Sequence, residues 1–204
     1  MADDANRRIN DPARIRALAH PTRLALLDHL GEVEEATATE CAAIVGESPS
    51  SCSFHLRMLE KYGFVERLPQ RGRERPWRAT QTSWNATPDP EIEGSTLAGA
   101  ALADLVVQRE TERIRAWLAA AGAAPPAPEW IEAMTVTKAE YWASAEELAE
   151  VREQIHALAE RFRGRREDPS LRPAGARKAT LFAVQLPDLA DEAPAPGGTG
   201  ESSV

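Results

Sequence analysis

The sequence predicts a mainly α fold with one small β hairpin, an α+β class, on three observations. Capped apolar segments with helical spacing follow one another from Asp11 to Gly63. Two short β-favouring runs, Val65 to Leu68 and Trp77 to Thr80, flank an arginine-rich loop that contains Gly72. Beyond a proline-containing linker, apolar residues recur from about Ser95 to Ala121 as one long helix would place them.

Asp11-Pro12 opens the first helix, which puts Ile15, Leu18 and Ala19 on one side. It ends at His20-Pro21, because a residue before proline is pushed out of the helical region. Pro21 starts a second helix that buries Leu24, Leu27 and Leu30 and stops at Gly31. Thr37-Ala38-Thr39-Glu40 fits a capping box for a short helix expected to bury Cys41, Ile44 and Val45 and to end at Gly46. Ser48 caps the next helix, with Pro49 in its first turn, where a missing amide costs nothing. The product is helix, tight glycine turn, helix.

In that last helix Cys52, Leu56 and Leu59 form the face packed on the domain. Ser50, Ser51, Ser53, Phe54 and Arg57 are left to point outward. Short hydroxyl side chains let a helix sit deep in a DNA groove, and an arginine at that position reaches a phosphate or a guanine edge. Gly63 ends the helix and returns Phe64 and Val65 to the core. The hairpin that follows carries Arg71, Arg73 and Arg75 at its tip, a wing suited to grip the flanking backbone or minor groove.

Asn85 to Glu93, with Pro88 and Pro90, reads as a linker. The helix after it carries Leu97, Ala101, Leu105, Ile114, Trp117 and Leu118, a stripe longer than one small domain needs, so part of it is expected to meet another subunit. After the breakers of Gly122 to Pro128, the pattern reads strand, helix, strand. Thr135 to Trp142 and Lys178 to Leu186 are the strands, and Ser144-Ala145-Glu146-Glu147 caps a helix bearing Leu148, Val151, Ile155, Leu158 and Phe162. The expected organisation is a DNA-binding domain over 11–84, a long dimerisation helix over 95–121, a smaller strand-helix-strand unit over 129–187 and a disordered tail over 188–204.

Composition sets outer bounds. The net charge of -8 argues against nucleic acid until its distribution is considered: from Ser48 to Thr80 seven basic residues face three acidic ones. DNA responds to the local patch more than to the total. The amino end has no apolar core of a signal peptide, and the uncharged run Ala116 to Pro128 is short and broken by Pro125 and Pro126, so a soluble, cytoplasmic protein with no membrane contact is expected. Its two cysteines, Cys41 and Cys52, are expected as reduced, buried thiols.

Three segments, Ala17-Leu18-Ala19-His20-Pro21-Thr22-Arg23-Leu24, Ser53-Phe54-His55-Leu56-Arg57-Met58-Leu59 and Gly72-Arg73-Glu74-Arg75-Pro76-Trp77, resemble in order and spacing the ArsR-like winged helix-turn-helix transcriptional regulators. The likeness spans roughly Asp11 to Thr80. From Ser95 onward it is looser, similar to the carboxyl extension of an actinobacterial-type branch. It implies a homodimer that binds an operator in double-stranded DNA with two recognition helices, and that commonly represses until an effector lowers its affinity. On that pattern the helix beginning after Ser48 is the recognition helix. Metal-sensing members usually carry a Cys-x-Cys pair where this chain has Thr37-Ala38-Thr39, and others use histidines on the long helix, which has none here. No metal and no cofactor are therefore expected.

Other chemistry is thinly represented. Cys52 and His55 lie three apart on one helix, but a closed zinc site needs about four ligands and no second pair is near in sequence. His20, His29, His55 and His156 have no nucleophile motif beside them, and no glycine-rich phosphate loop occurs, so no enzyme is expected. Trp117, Trp130, Tyr141 and Trp142 are either core or a candidate pocket for a small apolar or aromatic effector. The main rival to the DNA-binding reading is a winged helix used for protein contact without an operator, since fold does not fix function.

Overall fold

In the computed structural model of the chain, which describes residues 8–72, 74–80, 84–165 and 168–188, the helices of the amino half begin where the caps predict. Asp11 accepts from the amide of Ala13 and starts α1 (Pro12–Leu18). The His20 imidazole, not a usual capping group, accepts from the amide of Thr22 and starts α2 (Pro21–Leu30). Both halves of the capping box form at α3 (Ala38–Val45): Glu40 N–H donates to Thr37 Oγ1 at 3.2 Å and Thr37 N–H to Glu40 Oε2 at 2.6 Å. Gly46 closes α3 in the left-handed region at φ 77°, and Ser48 Oγ, accepting from Ser51 N–H, opens α4 (Pro49–Lys61) within three residues.

These helices enclose one core. Ile15, Leu18, Leu26, Leu30, Cys41, Cys52, Leu56, Leu59 and Phe64 are all buried. Each leucine withdrawn from water in this way stabilises the fold by about 1.5–3 kcal/mol before chain entropy is charged against it. Ile44 departs from expectation. It is exposed, because the inward arc of α3 runs through Cys41 and Ala42, with Val45 half-buried.

The hairpin pairs β2 (Val65–Arg67) antiparallel with β3 (Trp77–Ala79), in the register Val65 to Ala79, Glu66 to Arg78 and Arg67 to Trp77. Ala36 adds a rung from a third segment on the other side of Trp77, exchanging two backbone hydrogen bonds with it at 3.0 and 2.8 Å. The loop ahead of α3 thereby belongs to the wing sheet. The architecture is a winged helix-turn-helix of α+β class.

Residues 85–93, expected as linker alone, also contribute structure. Here β4 (Asn85–Ala86) pairs in parallel with β1 (Arg8–Ile9) at the amino end, and Ile9 is completely buried. This two-residue contact lies below the length at which alternation can be read in a sequence. It delivers the chain to α5 (Ser95–Ala123), whose Ser95 hydroxyl, fully buried, donates to Asn10 O and accepts from Asp89 N–H.

The face that α5 turns to the core is Ser95, Ala98, Gly99 and Leu102, not the predicted stripe. Leu97 and Ala101 are exposed, Leu105 is partly buried, and Ile114, Trp117 and Leu118 stand in solvent beyond the domain. The small residues explain the difference: they let α5 approach closely, and a larger face would not fit. No described helix is long and apolar enough to cross a membrane.

The chain divides after Pro125 into two compact units, so the long helix and the winged domain form one body and the rest another. In the second unit α6 (Pro128–Glu132) was not anticipated, whereas α7 (Ala145–Glu160) starts at the predicted box, with Ser144 and Glu147 capping each other. The two expected strands, 135–142 and 178–186, do not form: both segments run without ladder partners among the described residues. β-propensity measures fit to a half-buried pleated surface, and an isolated pair of strands is marginal in water. Here Leu181, Val184 and Leu186 remain exposed, and Gln185 Nε2 ties this segment to α7 by donating to Leu148 O at 2.7 Å. The expected tail beyond residue 188 lies outside the described residues.

Close approach at Gly99 gives a test of the α5 packing. A Cβ placed there would stand 2.2 Å from Pro88 Cγ, inside contact distance. Gly99→Ala is expected to destabilise the first unit by about 1–3 kcal/mol, read as a lowered urea midpoint, because ring and helix must separate. An unchanged midpoint would mean that α5 does not dock in this position.

Candidate nucleic-acid interface

The geometry of α4 follows from its buried stripe. With Cys52, Leu56 and Leu59 inward, Ser50, Phe54 and Arg57 are exposed and Ser51 and Ser53 half-exposed. Ser50 Oγ lies 2.9 Å from the capping Ser48 Oγ. Phe54 is 53% exposed, and its edge meets the His55 ring at 5.3 Å. An aromatic ring held in water on a helix of serines has no role in the core.

Beside α4 lies the wing, and the two meet in an open cavity of about 220 Å³ lined by Ala38, Ser53, Arg57, Arg67, Glu74, Arg75 and Trp77. Ser53 and Arg57 of the helix and Arg75 of the hairpin therefore share one surface. Arg73, predicted for the same role, lies outside the described residues.

The basic side chains of this surface are not equivalent. Arg57 and Arg75 are exposed with no carboxylate partner among the described residues. Arg67 spreads over the Trp77 ring, 4.5 Å from its centroid, and reaches Glu60 at 3.3 Å. Arg78 pairs across the strands with Glu66 at 2.6 Å. Arg71, still exposed, reaches toward α3, with Nη1 3.0 Å from Glu35 and Nη2 3.1 Å from Glu40. A second tie runs alongside it, as Thr39 Oγ1 donates to Glu74 Oε1 at 2.6 Å. The roles of Glu35, Thr39 and Glu40 in holding the wing were not visible in the sequence. Arg71 meets its partners from 36 and 31 positions away, and no local pattern links them.

A second unanticipated group lies where α2 starts. The rings of His20 and His55 stack tilted at 40° with centroids 4.4 Å apart, joining the cap of α2 to the inner flank of α4. Arg23, which donates from Nε to Ala17 O and from Nη2 to Arg16 O at 3.0 Å, stands beside them. Burial first, then the Arg23 charge, hold both imidazoles below their ordinary value, against the opposing pull of Glu47. His55 Nδ1 is buried with no hydrogen-bond partner among the described residues, which suits a neutral ring.

The two cysteines are free and buried. Burial pushes the Cys41 thiol up to about 12, and the Cys52 thiol is also raised, chiefly by burial. Both are protonated packing groups at neutral pH.

The four residues expected around an effector are distributed differently. Trp117 belongs to the first unit and is 44% exposed, while Trp130, Tyr141 and Trp142 belong to the second. Trp130 lies under the Arg177 guanidinium at 4.5 Å, and Tyr141 and Trp142 are exposed. None of them lines the cavity beside the wing or the recess of about 40 Å³ formed by Leu24, Asp28, Trp84, Val106, Arg109 and Glu110.

Comparison with known proteins bears on the first unit. Residues 18–67, from the end of α1 through β2, match the family model described as a helix-turn-helix domain. The chain thus carries a helix-turn-helix domain of the kind found in DNA-binding regulators. No curated protein matches the chain.

The stacked histidines make the stability of this domain pH-dependent. Their folded values lie below the unfolded 6.5, so unfolding takes up protons, and the stabilisation present above 6.5 is lost as pH falls through the folded values. The urea midpoint is expected to fall on acidification from about pH 7 to about pH 5, and His55→Gln to flatten that fall. A variant whose profile stays as steep as the parent's would contradict the assignment.

Proposed function

We propose that this protein is a homodimeric, sequence-specific DNA-binding regulator of transcription, a repressor, relieved by a small apolar effector. The observation that carries the DNA reading is the shared surface: the serine-rich outer face of α4 and the free Arg75 of the wing open on the same side, around one cavity. On this reading Ser50, Ser51, Ser53, Phe54 and Arg57 enter the major groove, where short hydroxyls accommodate the base edges and Arg57 donates to a guanine. Arg75, with Arg73, holds the flanking backbone or minor groove and fixes the register of the helix.

Self-association is proposed from α5. Val107, Ile114 and Leu118 are exposed at spacings of seven and four, one side of a helix that projects past its own domain, with Trp117 adjacent. A twofold pairing through this seam would present two copies of α4 to two half-sites. The effector part rests on the exposed aromatic side chains Tyr141 and Trp142 of the second unit. A ligand there would alter operator affinity only by the difference in its affinity for the two states of the protein.

Two experiments test this. Fluorescence anisotropy with the DNA upstream of the protein's own coding region is expected to show specific binding that weakens steeply as salt rises. Arg57→Ala should cost about 1–3 kcal/mol and relax preference at one base pair. Salt-independent binding, or an Arg57→Ala variant with parental affinity, would favour a protein-docking winged helix instead. For the dimer, Ile114→Glu with Leu118→Glu is expected to halve the mass seen by sedimentation while leaving the winged domain folded, since both side chains are already in solvent. A parental mass would place the dimer elsewhere.

A further inference from the structure

Arg71 stands at the edge of the wing with the other arginines, yet its surroundings differ from theirs. The backbone of Arg71 pairs with that of Glu74 across the hairpin tip, N–H to O at 2.8 and 3.2 Å in the two directions. Its guanidinium leaves the hairpin and spans two carboxylates outside it, Glu35 in the loop before α3 and Glu40 in the first turn of α3. Glu40 is itself fixed, because the same carboxylate accepts the Thr37 amide in the capping box. Thr39, one residue earlier, receives the other side of the hairpin through Glu74. The wing tip is thus clamped at two points to one rigid object, the capped start of the first helix of the helix-turn-helix.

That geometry engages both terminal nitrogens of the guanidinium and balances its charge with carboxylates of the protein itself. Two acidic side chains face the guanidinium, and a phosphate entering there would meet their charge as well. Among the described residues Arg75 and Arg57 are in no ion pair.

We infer that Arg71 is a positioning residue which holds the wing at a fixed distance from α4 and does not itself contact DNA. The inference rests on the DNA-binding reading above for its consequence, but the clamp exists whether or not DNA is bound. Each exposed ion pair is weak, so the effect is on the population of wing positions and not on the stability of the domain. When the clamp opens, Arg75 loses its placement, and affinity falls although no phosphate contact has been deleted.

Salt titration separates the two roles. Removing a phosphate contact makes the plot of log affinity against log salt shallower by about one, whereas removing a positioning residue lowers the line without changing its slope. With the full-length protein and its upstream duplex, Arg75→Ala is expected to give the shallower slope. Arg71→Ala should weaken binding about two- to tenfold at every salt concentration, the size of one or two exposed ion pairs, with the parental slope. In Glu35→Gln/Glu40→Gln protein, where glutamine can still complete the capping box, Arg71→Ala should have no further effect. Amide hydrogen exchange on the free protein supplies a reading independent of DNA: protection at Arg71 and Glu74 should drop in Arg71→Ala and persist in Arg75→Ala. A shallower slope for Arg71→Ala, or unchanged protection in that variant, would overturn the inference. If the parent protein bound no DNA, the proposed function would fail, and the exchange experiment would still decide whether the clamp exists.

Discussion

Helix α4 can lie in only one orientation, because Cys52, Leu56 and Leu59 must leave water together and are all fully buried against the helices beneath it. Everything at the candidate interface inherits that constraint. Rotating α4 by a single residue, 100° about its axis, would expose a leucine and drive Phe54 or Arg57 toward the core. The left-handed turn at Gly46 and the Ser48 cap bring the chain back within three residues, so the angle between α3 and α4 is set by the shortest connection that satisfies both helix ends. The serine face is therefore an outcome of packing: whatever is not needed inside is displayed.

The wing is oriented by a different kind of bond. Its two strands are three residues each, too short to hold a direction alone, and the Ala36 rung on Trp77 ties them to the loop ahead of α3. Charged pairs add to this at the tip and along the strands. The same pairs lower the charge available to a partner: of the described arginines in the patch, Arg67, Arg71 and Arg78 pair with carboxylates of the protein, and Arg57 and Arg75 have no such pair among the described residues. In a chain with a net charge of -8, such internal neutralisation concentrates the attractive field at a few points. A surface of that kind favours a defined docking pose over diffuse attraction along any duplex.

Much of the first unit was legible because its signals are local. A capping box, a proline at the first helical position and a four-then-three apolar spacing are each complete within a few residues, and α1 to α4 start where these place them. The outward set on α4 was legible for the same reason. What escaped depended on contacts distant in sequence: the strand Asn85–Ala86 exists only because Arg8–Ile9 lies beside it, and the clamp on Arg71 needs Glu35 and Glu40. On α5 the apolar periodicity was real but pointed outward, since Pro88 demands the small Gly99 on the inner side. In the second unit the residues with strand preference are present at 178–186, and among the described residues no neighbouring strand turns preference into a sheet. Propensity is a statement about a residue, whereas a strand requires two segments.

The proposed DNA recognition requires the outer face of α4 and the hairpin tip to act as one surface toward a duplex. Isotope-labelled protein titrated with its own upstream DNA, and followed by amide chemical shifts, addresses that directly. Shifts at Ser50, Ser53, Phe54 and Arg57 are expected to move together with those at Gly72 to Arg75 at a single stoichiometry, while α7 amides stay in place. Perturbations confined to the second unit, or to one of the two features without the other, would contradict it.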